Sequence, residues 1–172
     1  MCVLVALGLF FLAIHLPFLA QAPATIDSAN FLLGVRDFNI ADHRPHPPGY
    51  PVFIALGKIS TKVFTQGLVQ DRVRAGSQAL AIWGTLFGAL AILPLFLLFR
   101  SLELTDRRAV GATALTVTCP LFWFNAVRPM SDIPGLAAGL TAQALIITAF
   151  RQSDKQEPRR LREGRAFARP RL

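Results

Sequence analysis

The feature that most constrains this chain is a pair of long apolar runs, residues 3–22 and 77–99, that contain no Asp, Glu, Lys or Arg. About 20 helical residues, rising about 1.5 Å each, cross the roughly 30 Å hydrocarbon core of a bilayer. Composition agrees, because 53% of the chain is hydrophobic and only 16% is charged, too little charge for the surface of an ordinary soluble domain. The sequence therefore predicts an integral membrane protein.

Two further apolar runs, residues 109–126 and 133–150, are shorter and contain Pro120 and Pro134. Counted as spans, they bring the prediction to an all-α fold with four transmembrane helices, in which residues 1–150 form the membrane module. A secretory signal peptide is the alternative for residues 3–22, since LAQA at 19–22 resembles a cleavage site. A span is favoured because no charged segment precedes the run and because the run is longer than the apolar core of a signal.

Basic residues set the predicted orientation. Lys and Arg number 18 against 10 Asp and Glu, a net charge of +8, and basic residues in short flanks are retained in the cytoplasm. They cluster in residues 100–108 and 151–172. Both termini are therefore predicted to be cytoplasmic, with residues 23–76 and 125–132 on the outer side of an inner or plasma membrane. We expect the basic tail, 151–172, to be disordered and to contact membrane lipid rather than nucleic acid.

The first outer segment contains HRPHPPGYP, residues 43–51, followed by a stretch of helical periodicity. Proline keeps the residue before it out of helix but suits a first helical turn. Residues 50–66 have a polar face and an apolar face, the apolar one formed by Val52, Ala55, Leu56, Ile59 and Val63. This pattern predicts an amphipathic helix on the outer membrane surface, with His46 and Tyr50 held rigidly at its start.

Asp27 follows directly after the first predicted span. A carboxylate at the centre of the bilayer would cost about 2.5–3.5 kcal/mol, so Asp27 belongs at the interface. In one interpretation, Asp27 or Ser28 caps the next helix. In the other, Asp27 is an outward-facing base at the level of the lipid headgroups.

Other charged side chains of the outer segments are candidates for binding a substrate. They are Asp37, Asp42 and Arg44 in the first segment, and Arg128 and Asp132 in the second. The forked donors of arginine suit a phosphate group, so Arg128 would contact one if the two outer segments meet.

A metal site is disfavoured, and no metal ligand is predicted. Asp42, His43 and His46 are closely spaced, and no further outer histidine or cysteine supports them. Cys2 and Cys119 lie in apolar runs, where a thiol behaves as a small hydrophobic group.

Together these features resemble the N-terminal part of the GT-C membrane glycosyltransferases. The likeness is carried by an acid just after the first span (Asp27), an outer loop with H-P-P-G-Y-P (His46 to Pro51), an amphipathic helix and an aliphatic second span. The chain is most similar to the protein mannosyltransferase (family 39) and RgtA-like group, and to a related family whose loop reads HPPGYPLY. The turn P-M-S-D-I-P, 129–134, is similar to an acidic turn in their second outer loop.

The resemblance implies transfer of a sugar from a polyprenyl-phosphate donor to an acceptor at the outer face of the membrane, with inversion. Asp27 would be the general base, with Asp37 or Asp42 as a second acid. His46 and Tyr50 would shape the pocket beside the lipid phosphate, and Arg128 or Arg44 would neutralise it. No cofactor is implied with certainty, and the need for a divalent cation stays open.

Members of this superfamily have more spans than four, so the resemblance also predicts that the chain is a truncated fragment. The alternative from a different class is a non-catalytic membrane subunit or transporter fragment, whose outer loop binds lipid or a partner chain in the membrane. Loss of sugar transfer on replacing Asp27 would distinguish the two.

Overall fold

The computed structural model describes residues 1–65 and 71–167, with side chains described for residues 1–64 and 71–153. This part of the chain forms eight α-helices and no β-strand, and a short 3-10 turn, Leu16–Phe18, follows the first helix. In chain order the helices are α1 (Cys2–His15), α2 (Ile26–Arg36), α3 (Pro51–Thr65), α4 (Arg72–Leu90), α5 (Ile92–Ser101), α6 (Asp106–Thr118), α7 (Pro120–Asn125) and α8 (Asp132–Phe167).

Two helices in the described residues are long and apolar enough to cross a membrane. The first is the 30-residue Arg72–Ser101, which joins α4 to α5 through a turn at Ala91, and the second is the 22-residue Asp132–Ser153 part of α8. They cover the second and fourth predicted spans. In the first predicted span the structure has a shorter apolar helix, Cys2–Phe18.

The third predicted span, residues 109–126, is divided in the structure. Helix α6 ends at Thr118, and Cys119 has an extended backbone with φ −56° and ψ 133°. Proline disfavours the helical conformation in the residue before it and suits the first turn of a new helix. Pro120 accordingly ends α6 and begins α7.

Contacts between helices establish the relative directions of α1, α8 and the α4–α5 helix. A Cβ built on Gly8 would lie 3.9 Å from Ile92 Cδ1, and one on Gly88 would lie 2.9 Å from Phe11 Cε1, so α1 is antiparallel to the α4–α5 helix. Helix α8 runs parallel to α4–α5, because Ile133 lies near Gly88 and Arg151 bonds to Ser101. We call the end with residues 19–50 and 125–132 the loop end, and the end with residues 100–108 and 151 the basic end.

Two groups of buried apolar side chains lie along the α4–α5 helix. The bundle cluster fills the space between α1, α5, α6, α7 and α8, and consists of Leu4, Phe11, Ala91, Ile92, Leu95, Val117, Phe122, Ala126, Ile133 and Ala137. The loop cluster joins α2 and α3 to the first half of α4, and consists of Phe31, Leu32, Val35, Phe53, Ile54 and Leu80. One continuous helix therefore supports both clusters.

Helix α3 coincides closely with the amphipathic helix predicted for residues 50–66. The apolar stripe predicted from the sequence is exposed, however, and a different face of the helix packs on the protein. Phe53, Ile54, Gly57 and Ser60 are buried, whereas Val52, Ala55, Ile59 and Val63 are exposed. The Ser60 hydroxyl donates to the carbonyl of Ala79 at 2.5 Å. The buried face thus binds α4, and the apolar stripe predicted from the sequence is exposed.

The last helix extends further than the sequence predicts. Helix α8 continues to Phe167, whereas a disordered tail is predicted for residues 151–172, of which 168–172 lie outside the described residues. Arg, Lys, Glu and Gln are good helix formers, whereas Pro158 and Gly164 in the same segment oppose helix. The structure describes helix as far as Phe167, and the disorder of the tail stays a prediction.

The tightest contact between α4 and the α7–α8 turn involves Gly84 and Thr85. The Thr85 hydroxyl is buried and donates to the Ala126 carbonyl at 2.8 Å. A Cβ on Gly84 would lie 2.8 Å from the same oxygen. Because this oxygen belongs to the backbone, it cannot move aside as easily as the end of a flexible side chain.

We expect Gly84→Ala to destabilise the protein. Overpacking lowers the free energy of unfolding by about 1–3 kcal/mol, which outweighs the roughly 1 kcal/mol by which alanine stabilises a helix relative to glycine. The thermal unfolding midpoint in detergent micelles should fall. Gly139→Ala is the matched control, since its Cβ would meet nothing within 4 Å. The unfolding midpoint of this control variant should be unchanged or higher. Equal midpoints for the two variants would contradict the packing described.

Candidate functional site

Three segments meet at the loop end: the start of α2, the proline-rich loop before α3, and the turn between α7 and α8. The Ala20 amide donates to the Val127 carbonyl at 2.9 Å, and the Thr25 hydroxyl lies 3.7 Å from Met130 Sδ. The two segments predicted to be outer loops therefore contact each other.

The start of α2 leaves the carboxylate of Asp27 unused by the helix. Thr25, not Asp27 or Ser28 alone, is the N-cap: its hydroxyl accepts from the Ser28 amide, and the Ser28 hydroxyl accepts from the Thr25 amide. Asp27 lies in the first turn, where negative charge is favoured by the helix dipole. Its side chain is 55% exposed, so the carboxylate is accessible for chemistry.

His46 faces Asp27 across the site. The distance from His46 Nδ1 to Asp27 Oδ1 is 3.7 Å, longer than a hydrogen bond but within the range of an ion pair if the ring is protonated. His46 Nδ1 is buried and makes no hydrogen bond within the described part of the chain. The structure thus brings together the predicted base and one predicted pocket residue.

Aromatic rings hold the His46 ring in place. Its centroid lies 5.3 Å from that of Phe31 and 5.3 Å from that of Tyr50, and Phe31 meets Tyr50 edge-on at 5.0 Å. Phe31 is 1% exposed and belongs to the loop cluster. The position of His46 therefore depends on the packing of α2 against α3.

The proline-rich loop lies directly on α2. A Cβ on Gly34 would lie 2.6 Å from Pro45 Cδ and 2.8 Å from the Pro45 nitrogen, so glycine is needed for this approach. Gly49 has φ +92°, a conformation that L side chains rarely adopt. The Arg44–Pro45 and Pro47–Pro48 peptide bonds are cis.

Asp37, Asp42 and Arg44 form an ionic cluster within the same loop. The Arg44 guanidinium donates from Nη1 to Asp37 Oδ2 at 2.8 Å and from Nη2 to Asp42 Oδ2 at 2.6 Å. Backbone hydrogen bonds also pair Asn39 with Arg44. These groups have partners inside the loop, so they stabilise its turn, and their predicted contact with substrate stays a prediction.

Arg128 borders a cavity of about 290 Å³ on the other side of the α2 start. Thr25, Ser28 and Met130 also line it. Among the described residues no ion pair joins Arg128 to Asp132; Asp132 is exposed in the first turn of α8. An anion in this cavity would meet the Arg128 side chain and the positive end of the α2 dipole.

An apolar groove of about 530 Å³ lies between α3, α4 and α8, and the sequence analysis missed it. Tyr50, Phe53, Leu56 and Phe87 form one wall, and Ser131, Pro134, Gly135 and Ala138 form the other. Tyr50 also contacts His46, so one residue of the groove wall touches the Asp27–His46 pair. The small residues of α8, which leave the groove open, were the one signal for it in the sequence.

No group of three or more His, Cys, Asp or Glu side chains in the described ranges 1–64 and 71–153 could hold a metal ion.

In comparisons with known proteins, no family model, no curated protein and no solved structure matches this chain.

We expect Gly34→Ala to push the proline-rich loop off α2, because the new methyl group would overlap Pro45. His46, whose side chain is 23% exposed, should then react faster with diethyl pyrocarbonate, as measured by peptide mass spectrometry. Exposed His43 is the internal reference, and Gly111→Ala, with open space around its Cβ, is the control. Unchanged His46 reactivity would show that this contact does not position the loop.

Proposed function

We propose that this chain is the N-terminal module of a GT-C-type glycosyltransferase, which transfers a sugar from a polyprenyl phosphate to an acceptor hydroxyl at the outer face of the membrane. The observation that carries the proposal is the arrangement around Asp27. An accessible carboxylate faces His46. A largely apolar cavity that includes Arg128 lies at the start of α2, and an apolar groove begins at Tyr50, whose ring contacts His46. A reaction between a lipid-linked donor and a polar acceptor needs these three environments side by side.

In this mechanism Asp27 is the general base. It takes the proton from the acceptor hydroxyl as the acceptor oxygen attacks the anomeric carbon. The bond from that carbon to the phosphate oxygen breaks, and the polyprenyl phosphate leaves with the electron pair. Attack opposite the leaving group inverts the anomeric configuration.

His46 Nδ1 lies 3.7 Å from Asp27 Oδ1 and makes no hydrogen bond within the described residues, so it gives the carboxylate a polar neighbour in the site. The ring is held by Phe31 and Tyr50, so the pair is organised before substrate binds. Preorganised polar groups need little rearrangement in the transition state.

The donor would occupy both sides of the site. Arg128 in the cavity binds the phosphate through its forked donors. The apolar groove behind Tyr50 holds the first part of the isoprenoid chain, since its lining is almost entirely hydrocarbon. Asp37, Asp42 and Arg44 keep the loop closed around His46 through their ion pairs.

The proposal includes four membrane crossings with cytoplasmic termini. The two helices of membrane-spanning length would account for two crossings, and α1 and α6–α7 for the others. The basic end would then face the cytoplasm, in agreement with the retention of Lys and Arg on that side. The loop end would face outward, and α3 would place its exposed apolar stripe on the outer leaflet.

Asp27→Asn should reduce sugar transfer by about 10²–10⁴-fold, the usual contribution of a general base. The assay uses the full chain in proteoliposomes, with synthetic polyprenyl-phosphate sugars as donors and with any chain that copurifies. Insertion and the thermal unfolding midpoint should stay unchanged. Glu103→Gln, which removes an exposed carboxylate near the basic end, is the control and should leave transfer intact.

Unchanged transfer in Asp27→Asn would remove the catalytic role of this residue. If the unmodified chain transfers no sugar from any such donor, the non-catalytic membrane subunit becomes the better description. That alternative draws on the exposed apolar side chains of α8, Leu136, Leu145, Ile146 and Phe150, which a partner helix could cover.

The proposed orientation predicts accessibility to a membrane-impermeant thiol reagent. A cysteine at position 43 should react only from outside, and one at position 160 only from inside. Cys2 and Cys119 are unpaired and exposed, so both must first be replaced by serine. The opposite labelling pattern would reverse the assignment of every loop.

A further inference from the structure

A second groove lies at the basic end, far along the helices from Asp27. It has a volume of about 310 Å³ and lies between α5 and α8. Leu97, Leu98, Ala144 and Ile147 form its walls, and Arg100 and Arg151 stand at its mouth. Ser101, Thr148 and Gln152 complete the lining, so the groove combines an apolar wall with a polar end that carries two arginines.

The hydroxyl groups beside the groove are already bonded within their own helices. Ser101 donates to the Leu98 carbonyl at 2.6 Å, and Thr148 donates to the Ala144 carbonyl at 2.7 Å. With these two hydroxyl groups satisfied, the part of the groove between Leu97, Leu98, Ala144 and Ile147 offers hydrocarbon, and the polar groups that remain are Gln152 and the two arginines. The interior of the groove therefore suits an aliphatic chain.

The two guanidinium groups are held in position at the end of α5. Arg151 donates from Nη2 to the Ser101 carbonyl, and Arg100 donates from Nη1 to the Leu104 carbonyl. Arg100 Nε also pairs with Asp106 Oδ1 at 2.8 Å. Since a guanidinium has five N–H donors, both arginines retain donors that these contacts do not use.

The surroundings carry an excess of positive charge. Among the side chains that the structure describes at this end, Arg107 and Arg108 in the first turn of α6 add to Arg100 and Arg151, whereas Glu103 and Asp106 are the acids. Four arginines against two carboxylates make this described part of the basic end net positive.

We propose that this groove binds an anionic phospholipid, with one acyl chain between α5 and α8 and the phosphate on Arg100 and Arg151. Basic pockets between membrane helices bind anionic headgroups in this way. Arg151 of α8 also contacts the end of α5, so a phosphate shared with Arg100 joins the two helices at this end. The site is separate from Asp27 and does not depend on the proposed sugar transfer.

The test uses the full-length protein in nanodiscs with a phosphatidylglycerol whose acyl chain carries a photoreactive diazirine. Crosslinks should map to residues 97–101 and 144–152, and Arg151→Gln should lower their yield about tenfold, since a charge-assisted bond to phosphate is lost. Arg74→Gln, an exposed arginine near the start of α4, is the matched control and should leave the yield unchanged.

Thr148→Phe provides a second variant, because it fills the groove and keeps both arginines. It should also lose the crosslinks, and circular dichroism confirms that each variant is folded. Equal crosslinking by a diazirine phosphatidylcholine, or an unchanged yield in both groove variants, would overturn the proposal. Competition by inorganic phosphate at equal strength would assign the arginines to a soluble anion and overturn the lipid assignment.

Discussion

The structure depends on the packing of one long helix, α4–α5, against two sets of partners. Gly84 and Thr85 mark the point where the partners change, because Thr85 bonds to the Ala126 carbonyl and Gly84 lets that carbonyl approach. Before this point α4 supports α2 and α3, and after it the helix belongs to the bundle. The turn that carries Arg128 and Met130 is thereby fixed next to the start of α2.

The position of the Asp27–His46 pair depends indirectly on the packing of α4. Phe31 fixes the His46 ring, and Phe31 is fixed by α3 and α4 through the loop cluster. Gly34 allows the proline-rich loop to rest on α2. The chain therefore places a histidine against an accessible carboxylate through apolar packing, and the ionic cluster around Arg44 closes the same loop independently.

Local patterns in the sequence predicted the helical fold and the approximate boundaries of α3, because these arise from apolar runs and proline. That the two outer segments meet was only a condition in the sequence analysis, because it depends on tertiary contacts such as that of Ala20 with Val127. Other features escaped prediction, among them the break at Pro120 within the third predicted span. Thr25 rather than Asp27 caps α2, since a capping box depends on the exact first turn. Helix α3 buries Phe53 and Gly57 and exposes the stripe with Ile59, because Phe53 and Ile54 form a second apolar strip beside the predicted one. The grooves form between helices that are far apart in the sequence, so the periodicity of a single segment does not predict them.

The two-faced character of α3 has a consequence for changes in chain length. Successive residues in an α-helix are rotated by about 100° around its axis. A one-residue insertion or deletion within residues 51–56 would therefore turn every later residue to another side, removing Ser60 from the Ala79 carbonyl and Gly57 from Leu80. The packing of α3 on α4 thus requires a fixed number of residues between the proline-rich loop and Ser60.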